Sequence, residues 1–349
     1  EVGLAFRLFD PEHLSGSVED IGITCALIPH DTPGIRIGRR HFPLNIPFQN
    51  GPIQGKNVFI PVDFIIGGVA QAGRGWRMLI EQLTVGRCIS LPANATGGAM
   101  VATWTTGAYA RIRRQFGLPV GKFEGVEQVI ARIVGNTYIM DAARSVTTGA
   151  IDAGEEPAVP SAILKSHLTE MGRVVSADAM DVHGGKGVML GPRNYLGRGW
   201  QATPIGITVE GANILTRSLI IFGQGAIRCH PFVLKEMKAA QKDSLVDFDD
   251  AFWGHIAFTV SNAARALWMG ITGARWMDAP ACPETKRYYQ QMTRFSSAFG
   301  LLADVSMFII GGSLKRKEKL SSRLGDILSL LYLSSCALKF YEDRGRLKD

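Results

Sequence analysis

A change of character at Gly73-Arg74-Gly75 constrains this chain more than any other feature. Before it, short apolar runs are cut by glycines, prolines and turn-forming clusters. After it, the chain reaches Phe116 with a single proline, Pro92, and later segments keep apolar residues at helical spacing. A chain that turns from short runs to long period-3.6 segments reads as a sheet followed by helices, not as alternating strand–helix units. Its 349 residues suffice for two or three domains with ample core.

In the first part, Ile21–Pro29 and Gly34–Gly38 are apolar runs split by His30-Asp31-Thr32-Pro33, and Asn57–Val62 is a further strand candidate. Gly51, Gly55, Gly67 and Gly68 punctuate the region, so residues 1 to about 70 are expected as strands of an antiparallel sheet or barrel. In the segment from Gly73 to Phe116, Pro92 is expected to kink or break a helix, or to sit in the first turn of a restarted one. From Glu124 to Gly154, Val126, Val129, Ile130, Ile133, Val134 and Tyr138 follow i, i+3, i+4, i+7 spacing, which predicts an amphipathic helix. A third helix opens at Pro160-Ser161, places Leu164, Leu168, Met171 and Val175 on one stripe, and stops at Gly184-Gly185. Three long helices with short connections predict an antiparallel bundle. A glycine-dense loop over 184–199, the segment Pro204–Glu210, a helix from Ala212 to Phe222, a polar break at Asp243–Asp250 and an apolar helical region from Ala251 to Tyr341 follow. The expected class is α+β, with boundaries at 1–72 for a partial antiparallel β-domain, 73–240 for a helical-bundle domain and 241–349 for an additional helical region.

Composition narrows the functional classes. With 46% hydrophobic and 20% charged residues, wholesale disorder is excluded. Five scattered cysteines with no C-x-x-C pair argue against a disulfide framework or a cysteine zinc site and fit a reducing, cytoplasmic setting. No H-E-x-x-H, G-x-S-x-G, Walker loop or complete G-x-G-x-x-G is present, and no metal site is expected. The net charge of +7 comes without a nucleic-acid-binding motif, so nucleic acid is a poor partner and an anionic cofactor, a phosphate-bearing substrate or an acidic membrane surface a better one. The longest apolar runs, Gly300–Gly312 and Ile327–Phe340, are shorter than the ~20 residues of a membrane span, so a spanning chain is not expected. Lys315, Arg316, Lys317 and Lys319 beside apolar helices offer a peripheral contact with an anionic membrane face, such as the inner face of the cell membrane; packing within the protein is an equal reading.

Several residues could carry chemistry. Glu210 lies in the otherwise uncharged Ile207-Thr208-Val209-Glu210-Gly211-Ala212-Asn213, just before a predicted helix. A carboxylate in apolar surroundings can serve as a general base; the bland reading is a capping carboxylate. Gly184-Gly185-Lys186-Gly187 could bring backbone amides to a phosphate, or simply end a helix. Arg111, Arg113 and Arg114, followed by Gln115-Phe116-Gly117, combine cations with an aromatic near a helix end, a pyrophosphate grip or a solvated basic tail. Arg87 sits among Leu83, Val85, Cys88 and Ile89, and if buried it needs an anionic or carbonyl partner; the alternative is that it snorkels. His183, beside the glycine loop, reads as structural.

In order and spacing these pieces resemble the acyl-CoA dehydrogenase family of flavoproteins over most of the chain. Thr32-Pro33-Gly34-Ile35 and the strands after it resemble the second half of the family's middle β-domain. Gly73-Arg74-Gly75-Trp76 is similar to the G-x-G-[FW] start of its long helix. Arg113-Arg114-Gln115-Phe116-Gly117 with Gln128 resembles R-x-x-F-G…Q, Gly184-Gly185-Lys186-Gly187 the G-G-x-G loop, and Glu210-Gly211 with Arg217 the catalytic loop. The wording from Thr208 to Arg217 and from Gly223 to Pro231 resembles the long bacterial branch used in fatty-acid β-oxidation, which has an extra C-terminal helical region.

The resemblance implies FAD as cofactor, a fatty acyl-CoA substrate, a trans-2-enoyl-CoA product and an electron-transfer flavoprotein as acceptor. It implies Glu210 as the catalytic base, with Arg87 and Gly211 on the substrate side. Arg113, Phe116, Gln128, His183, Gly184 and Gly185 fall at FAD contacts that reach a neighbouring subunit's cofactor, implying a homodimer or larger homo-oligomer. Ala212 and Ile214 stand where the family often has Thr and Gln. Gly86 stands where some relatives place the base, which favours Glu210. The chain starts at Glu1 without an initiator methionine, and the resemblance leads to the expectation of a fragment lacking the N-terminal helical domain and half of the β-domain, poorly active alone. An acyl-CoA oxidase and a non-catalytic scaffold with this fold stay open as alternatives.

Overall fold

The computed structural model describes all residues except Ser15, Phe48, Gln49, Ala281 and 347–349, and omits the side chains of Ile80, Glu81, Leu83, Thr84 and Val85. The expected neighbours Leu83 and Val85 of Arg87 therefore lie outside the described side chains, as do 347–349 of the expected C-terminal region. The chain divides into two compact units, Glu1–Gly86 and Arg87–Asp349. The expected boundary at 240/241 falls inside the second unit.

The first unit is an antiparallel β-region. Strand β1 (Val2–Phe9) pairs with β2 (Asp20–Ile28), and β3 (Ile35–Ile37) pairs with β4 (Ile53–Gly55). Val2, Ala26 and Ile28 form its core, with Phe6, Ile35, Ile60 and Phe64 packed against it. Asn57–Val62, expected as a strand, is not one. Pro61 removes a ladder donor, and Ile60 reaches the core from irregular chain instead. The Gly73-x-Gly75 pair has a steric reason. Gly73 has φ 78°, and a Cβ there would meet the Ile21 carbonyl oxygen at 2.3 Å. A Cβ on Gly75 would lie 2.9 Å from both the amide nitrogen and Sγ of Cys25. β2 thus lies too close to the start of the long helix for any side chain.

That helix, α1 (Gly75–Ile112), runs through Pro92 without ending. The expected break is absent: flanking helical bonds and the buried residues Cys88, Ala99 and Ala102 hold the turns on either side, so the lost proline N–H is tolerated.

In the second unit, a two-residue hairpin, β5 (Arg114–Gln115) with β6 (Leu118–Pro119), leads to α2 (Glu124–Asp152) and α3 (Ala158–His183). Leu164, Leu168 and Val175 of α3 are fully buried, as their spacing predicts. On α2 the buried face is rotated from the expected stripe: Val134 is 47% exposed, while Ile133, Thr137, Met140, Ala143 and Thr147 face inward. Ile133 and Val129 of the expected stripe do reach the core, but the small and hydroxyl-bearing residues that complete the buried face carry no signal in a pattern of large apolar residues. Arg132 of α2 makes a paired hydrogen bond to both carboxylate oxygens of Asp178 on α3, at 2.7 and 2.6 Å.

Gly184 ends α3 in a left-handed turn with φ 55°, followed by the single turn α4 (Gly185–Val188). The expected loop to Gly199 is shorter than predicted, because α5 (Gly197–Thr208) starts within it. After the Val209–Ala212 turn come α6 (Asn213–Leu215), a nine-residue π-helical segment (Thr216–Gln224) and α7 (Gly225–Cys229). Next are α8 (Val233–Gln241), α9 (Leu245–Thr272), which absorbs most of the expected polar break, α10 (Pro283–Ile310) and α11 (Glu318–Asp343). One core joins Ala99 and Ala102 of α1, Ile133 and Met140 of α2, Leu164 and Leu168 of α3, Ile221 of the π segment, and Leu333 and Cys336 of α11.

The segment Pro283–Lys315 and helix α11 are long and apolar enough, by length and composition alone, to cross a membrane. Counting uninterrupted runs misses them, since isolated polar residues break the runs. Several of those polar residues are buried: Asp304 of α10 accepts hydrogen bonds from His230 and Thr259, and Ser321 and Ser329 of α11 are fully buried. Of the basic cluster, Lys315, Arg316 and Lys317 lie in the connection between α10 and α11, and Lys319 lies in the first turn of α11.

Candidate functional site

The turn after α5 concentrates unusual features. Glu210 has φ 53°, a left-handed conformation that costs a non-glycine residue on the order of 1–3 kcal/mol. Gly211 follows with φ 91°. Among the described residues, the backbone N–H groups of Glu210 and Gly211 donate to no acceptor. The Glu210 carboxylate is exposed, so the apolar surroundings expected from its uncharged sequence neighbours do not enclose it in this structure.

Behind the turn lies Lys165, which has no exposed surface. Its Nζ donates to the carbonyls of Ile207 and Gly211 at 3.1 and 2.6 Å and to Asn213 Oδ1 at 2.8 Å. The Asn213 amide donates back to α3 through Ser166 O, Thr169 Oγ1 and Glu170 Oε1 at 3.2, 2.9 and 3.2 Å. Burial holds the Lys165 pKa down to about 8; the nearby Arg87 cation pushes the same way, while Glu210 and Glu170 oppose it. Arg87 approaches from α1. A methyl placed on Gly211 would lie 3.8 Å from Arg87 Nη2. Among the described residues the buried Arg87 Nε has no hydrogen-bond partner, a donor open to the acceptor of a bound group. The structure thus brings Glu210, Gly211 and Arg87 together and adds Lys165 and Asn213, which the sequence reading missed. One signal was present: Lys165 sits in Ser161-Ala162-Ile163-Leu164-Lys165-Ser166 with no carboxylate three or four residues away, so no helix neighbour could pair its charge.

The remaining expected residues gather elsewhere. Arg113 N donates to Tyr109 O at 2.8 Å, and the Tyr109 ring stacks on His183 with centroids 4.4 Å apart. This contact places the hairpin holding Arg113 and Phe116 near the Gly184-Gly185 turn. Phe116 is 94% exposed with φ 48°. The Arg113 side chain is exposed and pairs with no described residue. Gln128 is exposed on the first turns of α2. A Cβ on Gly184 or Gly185 would meet nothing within 4 Å, so both backbones are open. His183 differs. It is 2% exposed, its Nδ1 faces Ala179 O at 2.7 Å and its Nε2 faces Tyr195 Oη at 2.7 Å. Nδ1 therefore carries the proton, Nε2 accepts from tyrosine, and burial lowers the pKa so that the ring stays neutral. Its ring orders the turn rather than facing outward. At 1.5 Å per residue, Arg87 and Arg113 are separated by roughly 40 Å along α1.

Residues 73–222 match the family described as acyl-CoA dehydrogenase, C-terminal domain, and residues 227–349 match acyl-CoA dehydrogenase, C-terminal, bacterial type. The chain belongs to the acyl-CoA dehydrogenase family. Within curated proteins, Protein HemX of Proteus mirabilis is 62% identical over 104 residues, 30% of this chain and 61% of that protein. The protein named "Probable acyl-CoA dehydrogenase FadE10" of Mycobacterium bovis is 30% identical over 186 residues, 53% of this chain and 28% of that protein. Among solved structures, an acyl-CoA dehydrogenase of Bacillus anthracis complexed with FAD aligns with a TM-score of 0.73 at 16% identity, over 99% of this chain and 56% of that one. That likeness establishes the acyl-CoA dehydrogenase fold. The chain thus spans only part of the length of each relative.

Proposed function

We propose that the complete protein oxidises a fatty acyl-CoA to the trans-2-enoyl-CoA, with FAD as cofactor, an electron-transfer flavoprotein as acceptor and a homodimer or larger homo-oligomer as working unit. The observation that carries this reading is the Glu210–Gly211 turn: a carboxylate on a left-handed backbone, beside two free amides and the unpartnered Nε of Arg87. An α-proton of a thioester is weakly acidic, so its removal needs a base and donors for the carbonyl oxygen. Glu210 takes the proton. The free amides of Glu210 and Gly211 supply fixed dipoles, and Arg87 holds a polar part of the substrate.

The chain's residues fit the cofactor at the other end of α1. Arg113 offers an unpaired cation, Phe116 and Gln128 are exposed, and Gly184 and Gly185 leave their backbones open to close approach. FAD, when bound, supplies the two-electron acceptance. The separation of roughly 40 Å along α1 supports a cofactor gripped by one subunit and served by the base of another.

The test is anaerobic mixing of the FAD-loaded full-length protein with a saturated acyl-CoA while flavin absorbance is followed. Glu210→Gln keeps shape and removes the proton acceptor, so bleaching should slow by roughly 10²–10⁴-fold or more. A parent that does not bleach, or a Gln variant that bleaches at the parental rate, overturns the reading.

A further inference from the structure

We infer that Lys165 is a positioning residue: its three N–H bonds clamp the Glu210–Gly211 turn, and loss of one proton from Nζ at alkaline pH loosens the turn. The inference rests on the assignment of Glu210 as base and names what holds that base in place.

An ammonium group has three N–H bonds, and Lys165 uses all three: on Ile207 O at the end of α5, on Gly211 O just past the glutamate, and on Asn213 Oδ1 at the start of the next helix. The three acceptors lie before, within and after the turn, so one group fixes it at three points. Among the described residues, the only other side chain reaching Gly211 O is Thr216, whose Oγ1 lies 3.3 Å away. The left-handed conformation of Glu210 is intrinsically unfavourable and persists only where its surroundings enforce it. Lys165, fully buried on the rigid helix α3, is that enforcement.

The chemistry also predicts a response to pH. A neutral amine has two N–H bonds, so deprotonated Lys165 must release one of its three acceptors. The charged groups facing it are Arg87 from α1 and Glu210 from the turn, with Glu170 on its own helix. Burial places the titration near pH 8, within reach of ordinary assays. The sign is fixed: the clamp is complete below that pH and is lost as pH rises through it.

Two measurements test this. The first is backbone hydrogen exchange of residues 208–216 between pH 7 and 9.5, corrected for the intrinsic rate, in the full-length protein with and without FAD. Protection should fall as pH rises through about 8 in the parent. It should be low at every pH in Lys165→Met and retained at every pH in Lys165→Arg, whose charge does not titrate. The second is flavin reduction by acyl-CoA. Lys165→Met should lower the limiting rate by roughly 10²-fold, the cost of a small misplacement, with a much smaller change in acyl-CoA affinity. Its rate should also lack the alkaline decline of the parent. Parental protection that does not change with pH, or a Met variant with parental exchange and pH profile, overturns the clamp. A parent that shows no acyl-CoA-dependent bleaching overturns the base assignment instead, and hydrogen exchange still decides the clamp. If Lys165→Met does not fold, the parent and Lys165→Arg decide it.

Discussion

A glutamate with a left-handed backbone cannot keep that shape unaided, and the buried ammonium bonded around it, Lys165, comes from a distant part of the sequence. Glu210 and Arg87 were legible because each stands out locally, one as a lone carboxylate before a glycine, the other as a cation in an apolar helix. Lys165 was not, since a lysine is ordinarily read as solvent-facing, and what buries it is contributed by residues 207–213, more than forty positions away. Arg113 was legible as a cation beside Phe116, and its side chain pairs with no described residue. If it grips the cofactor's pyrophosphate across a subunit boundary, a charge-assisted bond contributes about 1.5–3 kcal/mol. Arg113→Ala in the full-length protein should then weaken FAD retention by roughly 10–100-fold, as read by flavin fluorescence on dilution. Unchanged retention would mean that Arg113 is a surface residue only.

Between elements, one close approach involves the small residues of α11. Ser321, Gly325 and Ser329 recur at helical spacing and are buried, facing the π-helical segment that follows the Glu210 turn. A Cβ on Gly325 would lie 3.2 Å from Arg217 O and 3.6 Å from Ile221 Cγ2. Beside this seam, Arg217 bonds Asp326 with both arms, but the pair is half exposed and adds little. Shape therefore dominates. Gly325→Leu should destabilise the protein by about 1–3 kcal/mol, read as a lower Tm in thermal unfolding, whereas Asp326→Asn should change Tm by much less. The three long helices were legible from apolar spacing and from Gly184. The buried face of α2 and the small-residue seam were not, because threonine, serine, alanine and glycine carry no hydrophobic signal. Pro92 misled for a related reason: a proline's local cost is visible in sequence, while the packing that offsets it is not.

At the scale of the molecule, the order of sheet then helices was legible from the change at Gly73, whereas the joining of α11 to the core of α1–α3 was not. That joining depends on contacts such as Thr147 with Tyr332, at 2.7 Å, between residues far apart in the chain. The length of α1 has a further consequence. It places Arg87, beside the Glu210 turn, roughly 40 Å along the chain from Arg113, which follows the helix's last residue. Under the proposed function each catalytic centre would be a composite of two subunits, and defects in the two halves could be dealt to different copies. A subunit bearing Glu210→Gln and a subunit bearing Arg113→Ala should each be impaired as homo-oligomers. When co-expressed with separate affinity tags and isolated as the mixed pair, they should recover flavin reduction at half of the sites. One centre inherits both lesions and the other inherits neither, so two damaged polypeptides rebuild one sound enzyme.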